Sequence, residues 1–318
     1  MTSRLNIIVT SELPPAVDSA LRDSFDVTYA SAKPVERDLL QKAGKAFAVV
    51  PSPGDLFDDV ALRALPDSIK VLASYSVGVD HIDIEAARSQ GILVTNTPDV
   101  LTDATADAAM LLLLSAARGA SWAEHCLRSG AWKGWRPAEV FGVDLRGRTL
   151  GVFGYGRIGK ALATRARAFG MVVQYFDRKG QGPVDEVAHA VSDIEEFWAT
   201  SDVISLHAPS TPETRYVINA SSLRRMKKGV IIVNTARGDL ISDDDLIASI
   251  QSDHVRAVGL DVFDGEPKID PRYIQLQNAT LLPHIGSSTE ETRRAMGQKV
   301  LANLEAVARN DTPPDLVV

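Results

Sequence analysis

An α/β fold with two parallel sheets, divided over two domains, is what this sequence predicts, and three features predict it. Short apolar runs alternate with helix-like stretches along nearly the whole chain, which is the pattern of parallel βαβ units with helices on both faces of a sheet. A glycine-rich turn joins one such run to an alanine-rich helix in the middle of the sequence. At 318 residues the chain is also long for a single core, which favours two domains.

The first set of runs is LNIIVT, FDVTYA, AFAVV, VLASYS and ILVTN, with the proline-led helix PPAVDSALRD between the first two. These place one small α/β layer structure in residues 1 to about 98. From Thr102 to Arg128 the pattern changes to a wide apolar stripe, read as one long buried helix with Asp103 as its candidate cap. A helix of that length can carry the chain from one domain to the next. A second alternation begins at Thr149, with TLGVFG, VVQYFD, DVISLH, GVIIVN, VRAVGLDV and ATLLPH as strands. Residues 288–308 read as a closing helix and DTPPDLVV as an extended end.

Composition removes several classes of function. Hydrophobic residues at 45% and charged residues at 24% are globular proportions, and no apolar stretch is long enough to span a bilayer. The start, MTSRLNIIVT, shows no secretory signal, and a lone Cys126 permits no internal disulfide framework, so a reducing cytoplasm is the expected compartment. A net charge of −7 argues against nucleic acid or an anionic membrane as a partner, while leaving room for a small anion at a local cationic site. The six histidines and one cysteine show no metal-ligand spacing. His81, His125, His189 and His254 have no special context and are expected to be surface or capping residues.

Gly154-Tyr155-Gly156-Arg157-Ile158-Gly159 fits G-x-G-x-x-G between an apolar run and a helix. In that setting Gly154 allows the tight turn, Gly156 lets a pyrophosphate reach the backbone, and Gly159 lets helix and strand approach. The helix start adds free N–H groups and a positive dipole end. Asp177, at the end of the following run, places a carboxylate at the adenosine ribose, which favours NAD(H) over NADP(H). The adjacent Arg178 and Lys179 could offset it.

Three segments further on place reactive residues just after apolar runs. Arg237 in VNTARGDL offers a planar fork for carboxylate and carbonyl oxygens. His284 in LLPHIGSST can exchange a hydroxyl proton near neutral pH, and Glu266 in LDVFDGEP can orient its imidazole.

With these segments in view, the sequence resembles the D-isomer-specific 2-hydroxyacid dehydrogenase family over essentially its whole length. The matching pieces are SYSVGVDHID, NTPDVLTDATAD, GYGRIG, SLHAPSTPETRYVIN, NTARGDLI, GLDVFDGEP and LPHIGSST. Within that family it looks closest to glyoxylate/hydroxypyruvate reductases and to plant hydroxyphenylpyruvate reductases. The resemblance implies two Rossmann-like or flavodoxin-like domains with a cleft between them. Residues 1–98, completed by 286–318, form the substrate domain, and 99–285 the dinucleotide-binding domain. It implies NAD(P)H-dependent reduction of small 2-keto acids to D-2-hydroxy acids, with Arg237, Glu266 and His284 as the catalytic set.

The resemblance also implies that the backbone of Val77 and Gly78 receives the substrate carboxylate. It assigns Arg157 and Ile158 to the pyrophosphate, Asp177 to the ribose, and Thr105, His207, Pro209, Thr235 and Asp261 to the rest of the cofactor site. The segment WKGWRP is similar to a reductase pattern in which the second tryptophan, here Trp135, enters a partner subunit's pocket, which implies a homodimer. Leu56, Phe57 and Tyr75 are expected to limit the substrate side chain. A non-catalytic NADH-sensing corepressor is the rival from another class, and phosphoglycerate and phosphite dehydrogenases are lesser rivals among enzymes.

Overall fold

Central strands rich in Val, Ile, Leu and Ala have to be covered on both faces, and that requirement organises the molecule. The computed structural model describes residues 4–30, 39, 42–138, 142–177 and 186–318. The chain separates into two compact units, residues 1–101 with 288–318, and residues 102–287.

The first unit holds a five-stranded parallel sheet. Its strands are β1 (Asn6–Val9), β2 (Asp26–Tyr29), β3 (Ala46–Val50), β4 (Val71–Ala73) and β5 (Leu93–Thr95), in the order β2-β1-β3-β4-β5. That is the flavodoxin-like order, with its switch point between β1 and β3. Helices α1 (Pro15–Ser24), α2 (Asp59–Arg63) and α3 (Ile84–Ser89) connect these strands; the side chains of Asp58 and Asp83 cap the latter two. The end of the chain returns to β5, where Val94 donates to the Val318 carbonyl and Val317 to the Val94 carbonyl.

The second unit opens with α4 (Thr102–Arg118) and α5 (Ala120–Arg128). Seven parallel strands follow: β6 (Thr149–Phe153), β7 (Val172–Phe176), β8 (His189–Ala190), β9 (Val203–Leu206), β10 (Val230–Asn234), β11 (Val255–Leu260) and β12 (Ala279–Leu281). Their order, β12-β11-β10-β9-β6-β7-β8, is the Rossmann order with one added edge strand, and its switch point lies between β6 and β9. The helices between them are α6 (Arg157–Ala168), α7 (Ile194–Thr200), α8 (Ala220–Arg225), α9 (Asp243–Gln251) and α10 (Pro271–Ile274). Helix α11 (Glu290–Ala308) belongs to the first unit.

Alternate residues of the central strands feed two cores. Phe153, Ile204, Leu206, Ile232 and Val258 join one with Phe197 and Trp198 from α7. Leu150, Val152, Val203, Ile231 and Val233 join the other with Ala109, Leu112 and Leu113 from α4. Helix α4 lies directly on β11 because Gly259 has no side chain: a Cβ there would fall 2.8 Å from Leu112 Cβ. Among the described residues no helix is long and apolar enough to cross a membrane, and no cluster of potential metal ligands occurs.

Two expectations need correction. The helix expected over 102–128 is broken at Gly119, whose φ of 61° lies in the left-handed region, and none of the residues of α5 beyond the break is buried. Asp103 is not a cap; it lies in the first turn of α4 and pairs with Arg165 of α6 at 2.9 Å. His189 is exposed, as expected of a surface residue, and also forms the edge strand β8 against Gln174, a pairing too short to show as a sequence pattern.

Candidate active site

In a parallel sheet every strand ends on the same edge, so residues that follow the strands of the second unit are gathered without being neighbours in sequence. Gly154 follows β6, Asp177 follows β7, His207 and Pro209 follow β9, Thr235 and Arg237 follow β10, Asp261 and Glu266 follow β11, and His284 follows β12.

The glycine turn is defined by what each position excludes. Gly154 has φ 94°, and a Cβ on it would approach the Ala208 nitrogen to 2.6 Å. A Cβ on Gly159 would meet the Gly154 carbonyl oxygen at 2.4 Å, so close contact of α6 with the turn depends on its absence. Around Gly156, the residue preceding α6, nothing lies within 4 Å of such a Cβ. That open space beside a helix start is the room a phosphate needs. Arg157 is exposed at the first position of α6, and Ile158 packs partly into the core. Asp177 accepts the Tyr155 N–H through Oδ2 at 3.3 Å, which holds its carboxylate against the turn. Arg178 and Lys179 lie outside the described residues.

On the other side of the switch point, His207 Nε2 lies 2.8 Å from Ser205 Oγ, and burial pulls the imidazole pKa down to about 4, so it is neutral at pH 7. Pro209 is exposed, its carbonyl accepting from the Thr214 hydroxyl. Thr235 carries a buried hydroxyl with no hydrogen-bond partner among the described residues, at the carboxyl end of β10. An orphaned hydroxyl and an open glycine cradle on one sheet edge fit a dinucleotide.

The reactive cluster is tighter. His284 Nδ1 and Glu266 Oε2 are 2.8 Å apart, and Glu266 Oε1 accepts the Phe263 N–H at 2.7 Å. Burial works to raise the Glu266 pKa. The His284 hydrogen bond and charge, the Phe263 N–H and the Arg237 guanidinium pull the other way and prevail, holding it below the usual carboxylate value. An ionised carboxylate only accepts hydrogen bonds, so Nδ1 of His284 carries the proton and Nε2 is the atom left for exchange.

His284 has φ 54°, a left-handed conformation that costs about 1–3 kcal/mol for a residue with a side chain. Asp261 is what holds it there. Its carbonyl accepts the His284 N–H at 2.8 Å, and its carboxylate accepts the Ile285 and Gly286 N–H groups, each at 2.7 Å. Burial raises the Asp261 pKa, and those two N–H groups with His284 oppose the rise. Thr105, buried in α4, borders the same point: a Cβ on Gly286 would lie 3.0 Å from Asp261 Oδ2 and 3.4 Å from Thr105 Cγ2.

Arg237 sits on a turn shaped by Asn234, whose Oδ1 accepts the Ala236 N–H and whose Nδ2 donates to the Arg237 carbonyl. The Arg237 Nη1 donates to the Ala236 carbonyl at 2.7 Å. The next residue must be glycine, since a Cβ on Gly238 would lie 1.9 Å from the Phe263 carbonyl carbon. This contact brings the Arg237 turn against the Glu266 loop. The looping roles of Asn234 and Asp261 were missed in the sequence, where only an Asx-type turn in VNTAR hinted at the first.

In the first unit, Val77 and Gly78 lie half-exposed in the loop after β4. Both carbonyls are tied back, that of Val77 by Asn96 Nδ2 at 2.8 Å and that of Gly78 by Ser76 Oγ at 2.6 Å. His81, expected to lack a role, is part of this arrangement, with Nε2 3.2 Å from Ser74 Oγ. Of the expected pocket residues, Phe57 is fully buried in the unit's core, which places it behind any binding surface, whereas Leu56 is exposed. Tyr75 is buried too, and its hydroxyl donates to the Arg293 carbonyl. Trp135 is 81% exposed in the single chain and Trp132 is exposed as well, so neither is a packing anchor within its own unit.

A fold of paired α/β units whose Rossmann sheet carries an imidazole–carboxylate couple and a nearby guanidinium is that of a nicotinamide-dependent dehydrogenase. The comparisons agree: the family description "D-isomer specific 2-hydroxyacid dehydrogenase, NAD binding domain" matches residues 110–286. A glyoxylate reductase of Thermococcus litoralis is 43% identical over 284 residues, 88% of this chain and 86% of that protein. A glycerate dehydrogenase of Hyphomicrobium methylovorum is 37% identical over 96% of both chains. Among solved structures, an NADPH-dependent glyoxylate/hydroxypyruvate reductase of Sinorhizobium meliloti, in complex with NADP and malonate, superposes with a TM-score of 0.88. It is 32% identical, covering 99% of this chain and 97% of that one. The chain belongs to the D-isomer specific 2-hydroxyacid dehydrogenase family. Its activity is that of an NAD(P)-dependent oxidoreductase acting on small 2-keto and 2-hydroxy acids.

Proposed function

We propose that this enzyme reduces glyoxylate and hydroxypyruvate to the corresponding 2-hydroxy acids, the D-form in the case of glycerate, and that it prefers NADH. The observation that carries the reading is the 2.8 Å His284–Glu266 couple, with Arg237 near enough to lower the Glu266 pKa. The names of the relatives supply the substrate class.

Gly154, Gly156, Arg157, Ile158 and Gly159 would hold the pyrophosphate, Asp177 the ribose, and Thr105, His207, Pro209, Thr235 and Asp261 the remainder of the dinucleotide. When bound, the nicotinamide supplies the hydride for the carbonyl carbon. His284 delivers a proton from Nε2 to the carbonyl oxygen, and Glu266, accepting from Nδ1, fixes the ring. Arg237 offers its fork to the substrate carboxylate and to the negative charge that develops on the oxygen. The N–H groups of Val77 and Gly78 donate to the same carboxylate.

The NADH preference rests on the Asp177 carboxylate, which disfavours a 2′-phosphate; the Sinorhizobium relative, described as NADPH-dependent, is the counterexample that makes the test necessary. Exposed Trp135 supports a homodimer in which it enters the partner's pocket, and the single Cys126 supports a cytoplasmic site of action.

Steady-state rates with glyoxylate, hydroxypyruvate, pyruvate and hydroxyphenylpyruvate, each with NADH and NADPH, test the whole reading. The expected result is the highest kcat/KM with one of the first two acids and NADH. A preference for hydroxyphenylpyruvate or for NADPH overturns the substrate or the cofactor assignment respectively. Enzyme-like turnover of no acid in the panel returns the corepressor reading.

A further inference from the structure

The loop after β4 contains a hydrogen-bond chain whose direction can be worked out atom by atom. Ser76 Oγ is 2.6 Å from the Gly78 carbonyl, which can only accept, so the single hydroxyl proton of Ser76 is spent there. Ser74 Oγ lies 2.7 Å from Ser76 Oγ, and Ser76 has only a lone pair left to offer, so Ser74 donates to it. That uses the one proton of Ser74. The remaining contact, 3.2 Å from Ser74 Oγ to His81 Nε2, therefore has the imidazole as donor. The chain runs one way: His81 Nε2–H to Ser74, Ser74 to Ser76, Ser76 to the carbonyl of Gly78.

Both serines are buried, at 0% and 6% exposure, so these bonds do not compete with water. The stem of the loop is fixed as well, with Ser74 N–H donating to the Thr95 carbonyl and Thr97 N–H to the Ser76 carbonyl, each at 2.9 Å. Asn96 holds the Val77 carbonyl. The consequence falls on the other side of the peptide units. With the carbonyls of Val77 and Gly78 drawn inward, the N–H groups of Val77, Gly78 and Val79 are left as consecutive donors, and none meets an acceptor among the described residues. Hydrogen bonding at a peptide carbonyl also polarises the N–H of the same unit, which strengthens Gly78 and Val79 as donors to an anion.

We propose that His81, through Ser74 and Ser76, is a positioning residue for carboxylate recognition, and that Val79 N–H is a third donor of the carboxylate nest. The idea rests on the reading above that Val77 and Gly78 take the substrate carboxylate. His81 touches no substrate in this scheme; it fixes the tautomer and direction of the chain that orients the peptide planes.

The test compares the fastest keto acid of the panel with its own primary amide, which keeps the shape and loses the charge. The wild-type enzyme is expected to prefer the acid strongly. Ser76→Ala, Ser74→Ala and His81→Phe should each reduce that preference by about tenfold, chiefly through KM for the acid, with the NADH dissociation constant unchanged. His81→Gln retains an N–H donor and should recover most of the preference. Three variants are used because one may fail to fold, which a thermal melt reveals. A wild-type preference that survives in every folded variant overturns the chain and leaves the carboxylate reading standing. Equal losses for acid and amide also overturn it, as general damage. A wild-type enzyme indifferent to the charge removes the carboxylate reading itself.

Discussion

The two units present polar groups by opposite means. In the 102–287 unit, loops are held in order to present side chains: the Asp261 carboxylate accepts the Ile285 and Gly286 N–H groups beside the His284 imidazole, and the Asn234 amide holds the turn that carries the Arg237 guanidinium. In the other unit, side chains of Ser76 and Asn96 donate to backbone carbonyls, and what is presented is the backbone itself. The first device suits proton transfer, which needs a titratable atom at a fixed place. The second suits holding an anion, which needs several donors and no titration. The contrast also explains why reactive residues in one unit were visible as residue types, whereas His81 in the other looked like any surface histidine.

The widest break in this comparison would come from His284→Gln. Removing the only proton donor of the couple should lower kcat by roughly 10²–10⁴-fold while leaving NADH affinity, read by fluorescence titration, within a few-fold. Glu266→Gln should do less harm, lowering kcat with NADH affinity unchanged, because the ring keeps its proton-donating atom and loses only the carboxylate that orients it. Near-normal kcat in the histidine variant would mean that the 102–287 unit does not work by a presented side chain.

A smaller effect sharpens the comparison by separating presented from merely enclosed side chains. His207 has a folded pKa of about 4 against 6.5 for the free imidazole, so the fold favours its neutral form. The unfolded chain binds that proton first as the pH falls. Stability from this residue is therefore complete above about pH 6.5 and lost on the way down to pH 4, up to about 3 kcal/mol in all. Chemical denaturation of wild type and His207→Gln across that window should show a shallower pH slope in the variant. Identical slopes would show that His207 is not enclosed in the way its contacts indicate.

Smallest is Gly156→Ala. Its backbone, φ −80°, suits any residue, and a methyl group there meets nothing, so unfolding free energy should change by less than about 0.5 kcal/mol. The methyl does occupy the phosphate cradle, so the NADH dissociation constant should rise about tenfold. Unchanged affinity would show that the second unit does not use its backbone in this one place.

Much of this protein could be read from residues alone. The central runs, such as β3 and β10, are dominated by buried apolar residues because parallel strands are covered on both faces, so they stand out from their surroundings. Gly154 and Gly159 are legible for a similar reason: each is a place where any Cβ would collide, so the turn from strand to helix tolerates nothing larger. Arg237, Glu266 and His284 could be nominated because each follows such a run.

Tertiary structure alone decided how those residues are held. Gly119 is a local signal for a helix end, but only the packing shows that the break is used: α4 is buried against the sheet, and no residue of α5 beyond it is fully buried. Nor does sequence show that Asp261 takes three amides of a loop more than twenty residues away, or that Ser74, Ser76 and His81 share one proton order. Hydrogen bonds between loops depend on where parallel strands happen to end, and that is fixed by the packing of the whole sheet rather than by any short stretch of chain.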